Sequence, residues 1–214
     1  MNYNINFSQL ASDYLLDHLK MEQLSERYDL PQAAIVKSLL KFVDAYPETQ
    51  YSTMVYRKFK TEMVKKLLEH NGSRREFAAQ HGISVEKLMS IVADYLQDES
   101  LVRSDMTANN IYIKLSQQNI LCKISYIPPR IINYMGELYS KNSYTLARLA
   151  TIYGINRNTL SDVMIRGIAT NIFSDELAQK VYAKVLFCCK SKSTEIIKSY
   201  EAAFEARDSY KQTS

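Results

Sequence analysis

A pattern of small and apolar residues that occurs twice, at residues 74–91 and 146–163, constrains the fold of this chain more than any other feature. The two segments align without a gap, and each has an alanine, a glycine four positions later, and then apolar residues at helical spacing. Glycine at this place permits a positive φ at the end of one helix and a tight turn into the next. Each segment is therefore predicted to form two short helices joined at the glycine. The matching pairs are Ala78 with Ala150, Gly82 with Gly154, Ile83 with Ile155, Leu88 with Leu160 and Ile91 with Val163.

The composition favours helices in the rest of the chain as well. Only five glycines and four prolines occur among 214 residues, whereas sheets and their turns consume both types. Apolar residues recur at spacings of three and four, and Ser73, Ser84 and Ser174 stand where helix N-caps are expected. We predict a mainly α fold with helices at residues 31–46, 53–70, 74–81, 85–97, 130–141, 145–153, 157–166, 174–189 and 193–208.

One segment departs from the helical pattern. Residues 110–116 alternate apolar with polar side chains, and a less regular apolar run follows at residues 119–126. Alternation of this kind is typical of a half-buried strand. We therefore predict a small β-hairpin at about 110–126, although its connection, Gln117-Gln118, is poor turn chemistry.

A third, degenerate copy of the pattern lies at residues 24–41. Ser25 replaces the alanine, Asp29 replaces the glycine, and Ser38 falls where an apolar residue is expected. Aspartate enters the left-handed region less easily than glycine but more easily than most residues. Together with the helix-stopping Pro128-Pro129 pair, the copies predict three domains. These are an N-terminal helical unit at 1–50, a central unit with the hairpin at 51–127, and a C-terminal unit at 128–214.

The repeated pattern resembles the helix-turn-helix of phage-repressor-type DNA-binding domains, in residue type and in spacing. The resemblance covers about residues 130–190, because Arg166-Gly167-Ile168 ends the second helix on a glycine and a capped helix follows at Ser174. It implies tandem helix-turn-helix bundles in a sequence-specific, double-stranded DNA-binding transcriptional regulator. The resemblance also implies a repressor-like, bacterial or phage protein, and the weak affinity of one unit for DNA predicts a homodimer.

In this architecture the N-terminal residues of the second helix face base edges in the major groove. An arginine there grips guanine and an asparagine grips adenine. An aspartate either accepts a hydrogen bond from cytosine or pairs with an arginine nearby, and residues at the start of the first helix contact phosphates. In the C-terminal copy the candidate base readers are Asn156, Arg157, Asn158, Ser161, Asp162 and Arg166, and the candidate phosphate contacts are Tyr144, Thr145 and Arg148.

The other two copies offer less for DNA. In the central copy, Arg74 and Arg75 are candidate phosphate contacts, and Ser84 and Lys87, at the start of the second helix, are candidate DNA contacts. Glu86 beside them is unfavourable near phosphates. The alternative is that the central copy is only a scaffold. We expect the N-terminal copy to pack or dimerise rather than to read DNA.

The distribution of charge supports a polyanion partner for the second half of the chain. Residues 1–100 carry 12 Lys or Arg and 14 Asp or Glu, whereas residues 101–200 carry 13 and 6. A basic half invites nucleic acid, although a basic surface with no such role gives the same count. The hairpin would then be a wing beside the groove, with Lys114 and Lys123 on phosphates, or a dimerisation edge.

Several classes of function lack their sequence signals. No phosphate-binding glycine loop, Gly-x-Ser-x-Gly elbow or paired metal-ligand histidines occur, so we expect neither an enzyme nor a metal or other cofactor. The three cysteines, Cys122, Cys188 and Cys189, suit neither a disulfide framework nor a zinc site. No signal sequence or membrane span is recognised, and we expect a cytoplasmic, nucleoid-associated protein without a membrane partner.

Two other functions fit the same pattern. The first is a DNA-recognition subunit for phage packaging or replication, similar to small terminases, which assembles as a ring or array. The second is a protein-binding adaptor that uses the helix-turn-helix fold to bind RNA polymerase or another protein.

Overall fold

The computed structural model describes residues 6–117, 127–189 and 194–212, and within these ranges it contains α-helices and no strand. The prediction of a mainly α fold is confirmed. The contacts divide the chain into two compact units, residues 1–95 and 96–214, and each is described by itself. The helices of the first range are α1 Phe7–Leu15, α2 Met21–Tyr28, α3 Gln32–Ala45, α4 Gln50–Glu69, α5 Arg74–Gln80, α6 Val85–Gln97 and α7 Asp105–Gln117. Those of the later ranges are α8 Pro129–Ser140, α9 Leu146–Tyr153, α10 Arg157–Ala169, α11 Asp175–Cys189 and α12 Thr194–Gln212.

The predicted β-hairpin is wrong in its first strand, because residues 110–116 belong to helix α7. The helix begins after Ser104, whose hydroxyl accepts a hydrogen bond from the Thr107 N–H at 3.1 Å. Its buried side chains recur at helical spacing, and this periodicity outweighs the short alternation read from the sequence. The buried positions are Ala108, Asn109, Tyr112, Leu115 and Ser116. The predicted second strand, residues 119–126, lies outside the described residues.

In the first unit, α1, α2, α3 and α4 pack around one apolar core. Leu10, Leu24, Ile35 and Phe59 are completely buried there. A polar bridge crosses this core, since Glu62 of α4 accepts the Tyr14 hydroxyl at 2.9 Å and the Met21 N–H at 3.1 Å. Helix α4 therefore fixes both the end of α1 and the start of α2.

In the second unit, α10 is the central helix, and α8, α9 and α12 pack against it. Two glycines lie against the ring of Phe173, since a Cβ atom on Gly136 or on Gly167 would lie less than 3 Å from it. Helix α12 is held by Arg207, whose buried guanidinium donates to the Ile168 carbonyl at 3.1 Å and to the Phe173 carbonyl at 2.9 Å.

The same turn occurs at all three copies of the sequence pattern. The residue at the glycine position is left-handed in each, with φ of 51° at Asp29, 65° at Gly82 and 63° at Gly154. The following N–H then reaches back to the carbonyl at the alanine position, which is the hydrogen bond of a Schellman turn. These bonds join Leu30 to Ser25, Ile83 to Ala78 and Ile155 to Ala150, each at 3.0 Å.

The agreement between the copies extends beyond the turn. A helix precedes each pair, and its buried residues fall in one register across the copies. Each copy is taken from here on to include this preceding helix. The N-terminal copy is α1–α3, the central copy is α4–α6, and the C-terminal copy is α8–α10. The buried sets in the preceding helix are Leu10, Ala11 and Tyr14; Met63, Val64 and Leu67; and Met135, Gly136 and Tyr139. The buried sets in the second helix of each pair are Ile35, Ser38 and Leu39; Leu88, Ile91 and Val92; and Leu160, Val163 and Met164.

Candidate nucleic-acid interface

The helix pair of the C-terminal copy has well-defined ends. Thr145 caps α9, because its hydroxyl accepts the Arg148 N–H at 3.1 Å. Asn156 caps α10, because its side-chain oxygen accepts the Thr159 N–H at 2.7 Å. With Gly154 between them, these caps set where the two helices stop and start.

The start of α10 presents polar side chains to solvent. Arg157, Asn158 and Asp162 are exposed, whereas Leu160 and Val163 on the opposite face are completely buried. Ser161 and Arg166 are half-buried at the edge of the exposed face. Asn156 is exposed as well, but its oxygen is already used in the cap. Asn158 is therefore better suited than Asn156 to the paired acceptor and donor contact with adenine.

A second polar corner lies at the start of α9. The Arg148 guanidinium lies 5.2 Å from the centre of the Tyr144 ring and donates to the Ser143 carbonyl at 3.1 Å. Stacking on an aromatic ring limits the rotamers of an otherwise flexible side chain. The first N–H groups of α9 point out of this N-terminal end of the helix, and such groups attract anions. This corner has the chemistry of a phosphate contact.

Helix α7 is hydrogen-bonded to Tyr153, the residue just before the turn glycine. Tyr153 is completely buried, and its hydroxyl donates to the Asn109 side chain at 2.6 Å. The Ser116 hydroxyl donates to the Tyr153 carbonyl. Burial raises the pKa of the Tyr153 hydroxyl, so it remains a neutral donor. The sequence pattern does not predict this support, because it assigns Ser116 to a strand.

The central copy has N-caps at the same two positions, but its exposed side chains differ. Ser73 and Glu76 form a capping box at α5, and Ser84 accepts the Lys87 N–H at 3.1 Å at the start of α6. Arg75 and Glu86 are exposed, and Arg74 and Lys87 are half-buried. Hydrogen bonds from Ser73 hold the pKa of Glu76 below its usual value, so this carboxylate stays charged.

The C-terminal and central copies differ in side-chain charge at three equivalent positions. Where the C-terminal copy has Arg148, Asn158 and Arg166, the central copy has the acidic residues Glu76, Glu86 and Asp94. Asp94 accepts the Tyr56 hydroxyl at 2.6 Å, so it also joins α6 to α4. Acidic side chains at these positions repel a phosphate backbone.

The N-terminal copy is covered only in part at the corresponding place. Ala33 and Lys37 of α3 stand where α10 has Asn158 and Asp162. Both lie against Gly82, since a Cβ atom added there would be 2.7 Å from the Ala33 Cβ and 3.3 Å from the Lys37 Cε. The face of α3 that matches the exposed face of α10 thus contacts the turn of the central copy at the half-buried Ala33, while Lys37 remains exposed.

The structure therefore groups the predicted site residues in two places. The set on α9 and α10, and the loop before them, belongs to the second unit: Tyr144, Thr145, Arg148, Asn156, Arg157, Asn158, Ser161, Asp162 and Arg166. The set on α5 and α6, with the residue before α6, belongs to the first: Arg74, Arg75, Ser84 and Lys87.

In the ranges that the structure describes, no three His, Cys, Asp or Glu side chains come together in a group that could hold a metal ion. Among the helices of those ranges, none combines the length and the apolar character needed to cross a membrane.

Comparison with protein-family models, with curated proteins and with solved structures finds no match to this chain.

Proposed function

We propose that this chain is a sequence-specific double-stranded DNA-binding protein that acts as a transcriptional regulator. In this proposal α9 and α10 form a helix-turn-helix, α10 enters the major groove, and α9 lies across the phosphate backbone. Arg157 reads guanine and Asn158 reads adenine, while Tyr144, Arg148 and the first N–H groups of α9 hold a phosphate.

The comparison of the three copies is the observation that carries the proposal. All three share the buried register and the turn, yet only the C-terminal copy combines an exposed helix start with basic and amide side chains. Three of the corresponding positions are acidic in the central copy, and in the N-terminal copy Ala33, which lies against Gly82, stands in place of Asn158. A duplex is an extended polyanion, so this difference favours the C-terminal copy as its contact.

We also propose that two chains act together as a homodimer. One helix in one stretch of groove gives weak affinity, and a second copy of the reading helix raises it through effective concentration. A symmetric protein dimer would select a site with two-fold symmetry.

The first test is selection from a random duplex library by the full chain at near-physiological salt. We expect one enriched motif whose symmetry reports the number of reading helices. Recovery without enrichment would mean backbone-driven binding, and no recovery would favour a protein-binding adaptor. The particle mass separates a regulator, expected as a dimer, from a packaging subunit, expected as a closed ring of many subunits.

The second test uses matched variants of the two exposed helix starts. We expect Arg157→Ala to weaken binding by about 1–3 kcal/mol and to relax the preference at one base pair. Asn158→Ala should act in the same way at a neighbouring base pair, whereas Glu86→Ala, at the register of Asn158 in the central copy, should leave affinity unchanged. Equal losses in all three variants would contradict the assignment of α10 as the reading helix.

A further inference from the structure

Lys184 of α11 holds the loop that leads into α9. Its ammonium donates hydrogen bonds to the carbonyl oxygens of Lys141 and, at 2.7 Å, of Tyr144. The same nitrogen lies 5.0 Å from the centre of the Tyr139 ring, at the end of α8. One side chain thus joins the end of one helix to the residues just before the next.

An equivalent lysine occurs in the first unit. Lys58 of α4 donates to the carbonyl oxygens of Tyr14 and, at 2.9 Å, of Leu19, and it lies 4.2 Å from the centre of the Tyr14 ring. Tyr14 and Leu19 have the same register in the N-terminal copy as Tyr139 and Tyr144 in the C-terminal copy. In both units the lysine comes from the helix that follows the copy. We call this arrangement the lysine clamp.

The loops held by the two lysine clamps differ in the residues at their ends. In the C-terminal copy the clamped residue is Tyr144, whose ring carries the Arg148 guanidinium. In the N-terminal copy the clamped residue is Leu19, and Gln23 stands in place of Arg148. The Gln23 side-chain oxygen accepts the N–H of Lys20, so this residue is used within the chain as part of the cap of α2. Both copies have the lysine clamp, but only in the C-terminal copy does the clamped loop carry an arginine stacked on its tyrosine.

We infer that Lys184 is a positioning residue for the DNA backbone, because its clamp fixes Tyr144 so that the stacked Arg148 meets a phosphate. This inference rests on the proposed function of the C-terminal copy. The hydrogen bonds from the ammonium to the two carbonyl oxygens restrict the backbone of the loop. The loop therefore enters α9 at a fixed angle. Preorganisation of this kind lowers the entropy cost of ordering a long side chain at the moment of binding.

The test compares Lys184→Met with Lys58→Met in the full chain. Methionine keeps most of the apolar stem and removes the ammonium from either clamp. We expect both variants to unfold at a similarly lower denaturant concentration. Lys184→Met alone should lose DNA affinity, by about tenfold, the size of one charge-assisted contact, and by the same factor for different sequences.

A double variant separates positioning from a direct contact of Lys184 with DNA. If Lys184 acts through Arg148, the double variant Lys184→Met/Arg148→Ala binds no more weakly than Arg148→Ala alone. Additive losses would mean that Lys184 contacts a phosphate itself and would overturn the inference. Equal losses of affinity in Lys184→Met and Lys58→Met, or none in either, would also overturn it.

The two proposals fail in distinguishable ways. A wild-type chain that binds no duplex overturns the DNA-binding function and this inference together. A wild-type chain that binds a defined motif, with Lys184→Met binding equally well, overturns only the inference.

Discussion

The central and C-terminal copies show how one helical framework can carry two different surfaces. Both have the left-handed glycine, the Schellman hydrogen bond and completely buried leucines at the same register, Leu88 and Leu160. Their exposed residues differ, most clearly where Glu86 replaces Asn158. The buried register sets the fold, and the exposed register decides which partner the fold can bind.

The difference also has a cost in helix stability. Glu76 and Glu86 lie in the first turns of α5 and α6, where a negative charge is favourable with the helix dipole. Helices α9 and α10 have no acidic residue in the first turn. The C-terminal copy therefore gives up this stabilisation at the helix ends that would face phosphate.

The largest expected effect tests whether the two copies share a core position. Leu88→Ala and Leu160→Ala each remove a completely buried side chain, and we expect each to lower the free energy of unfolding by about 2–5 kcal/mol. Chemical denaturation of the full chain measures both losses. A loss below about 1 kcal/mol in one variant only would break the equivalence of the copies.

The next effect distinguishes the two turns. Gly154→Ala should cost only the strain of a left-handed alanine, about 1–2 kcal/mol, since the nearest atom to its new Cβ would be 3.5 Å away. Gly82→Ala carries the same strain and also places its Cβ 2.7 Å from the Cβ of Ala33. We therefore expect Gly82→Ala to be the more destabilising variant in thermal or chemical unfolding.

A second substitution makes this comparison sharper. Ala33→Gly removes the overlapping methyl group and should recover part of the stability lost in Gly82→Ala. No recovery would show that the contact between the central turn and α3 does not determine the difference between Gly82 and Gly154.

A smaller effect concerns the residue before each turn glycine, which is His81 in the central copy and Tyr153 in the C-terminal copy. The His81 ring is stacked on Phe77 at 4.2 Å, and its Nδ1 lies 2.9 Å from the Phe77 carbonyl. Burial lowers the pKa of His81 below its ordinary value of 6.5. Below that pH the unfolded chain binds a proton that the folded chain does not, so stability should fall as the pH falls.

The matched variant His81→Tyr gives the central copy the residue of the C-terminal copy. It should remove this pH dependence, which is at most about 1.4 kcal/mol per pH unit for one proton. Denaturation of the wild type and of His81→Tyr between pH 5 and 7.5 measures the difference. Parallel curves for the two proteins would contradict a role for His81.

The sequence predicted the helix pairs well and α7 badly. The N-caps expected at Ser73, Ser84 and Ser174 are present, and the predicted helix at 157–166 is α10, extended to Ala169. These succeed because caps and helical periodicity act over four residues or fewer. The hairpin at about 110–126 failed because a short alternating run fits a strand and a helix face equally well until its neighbours are known.

The candidate site was predicted in part. The exposed residues of α10 follow from the repeated register, because the buried positions leave only one face for solvent. Lys184 and Asn109 could not be found in this way. They lie on helices distant in sequence, and no local pattern links them to Tyr144 and Tyr153.

The sequence by itself determined the three copies, their left-handed turns and the inward face of each helix, since these depend on residue type and on local backbone geometry. The tertiary structure decided which outward faces remain open. Gly82 lies on the half-buried Ala33 of the N-terminal copy, whereas Asn158 at the same register of the C-terminal copy is exposed. A hydrophobic pattern specifies that a face must be buried or solvated, but the neighbour that covers it is chosen by long-range packing.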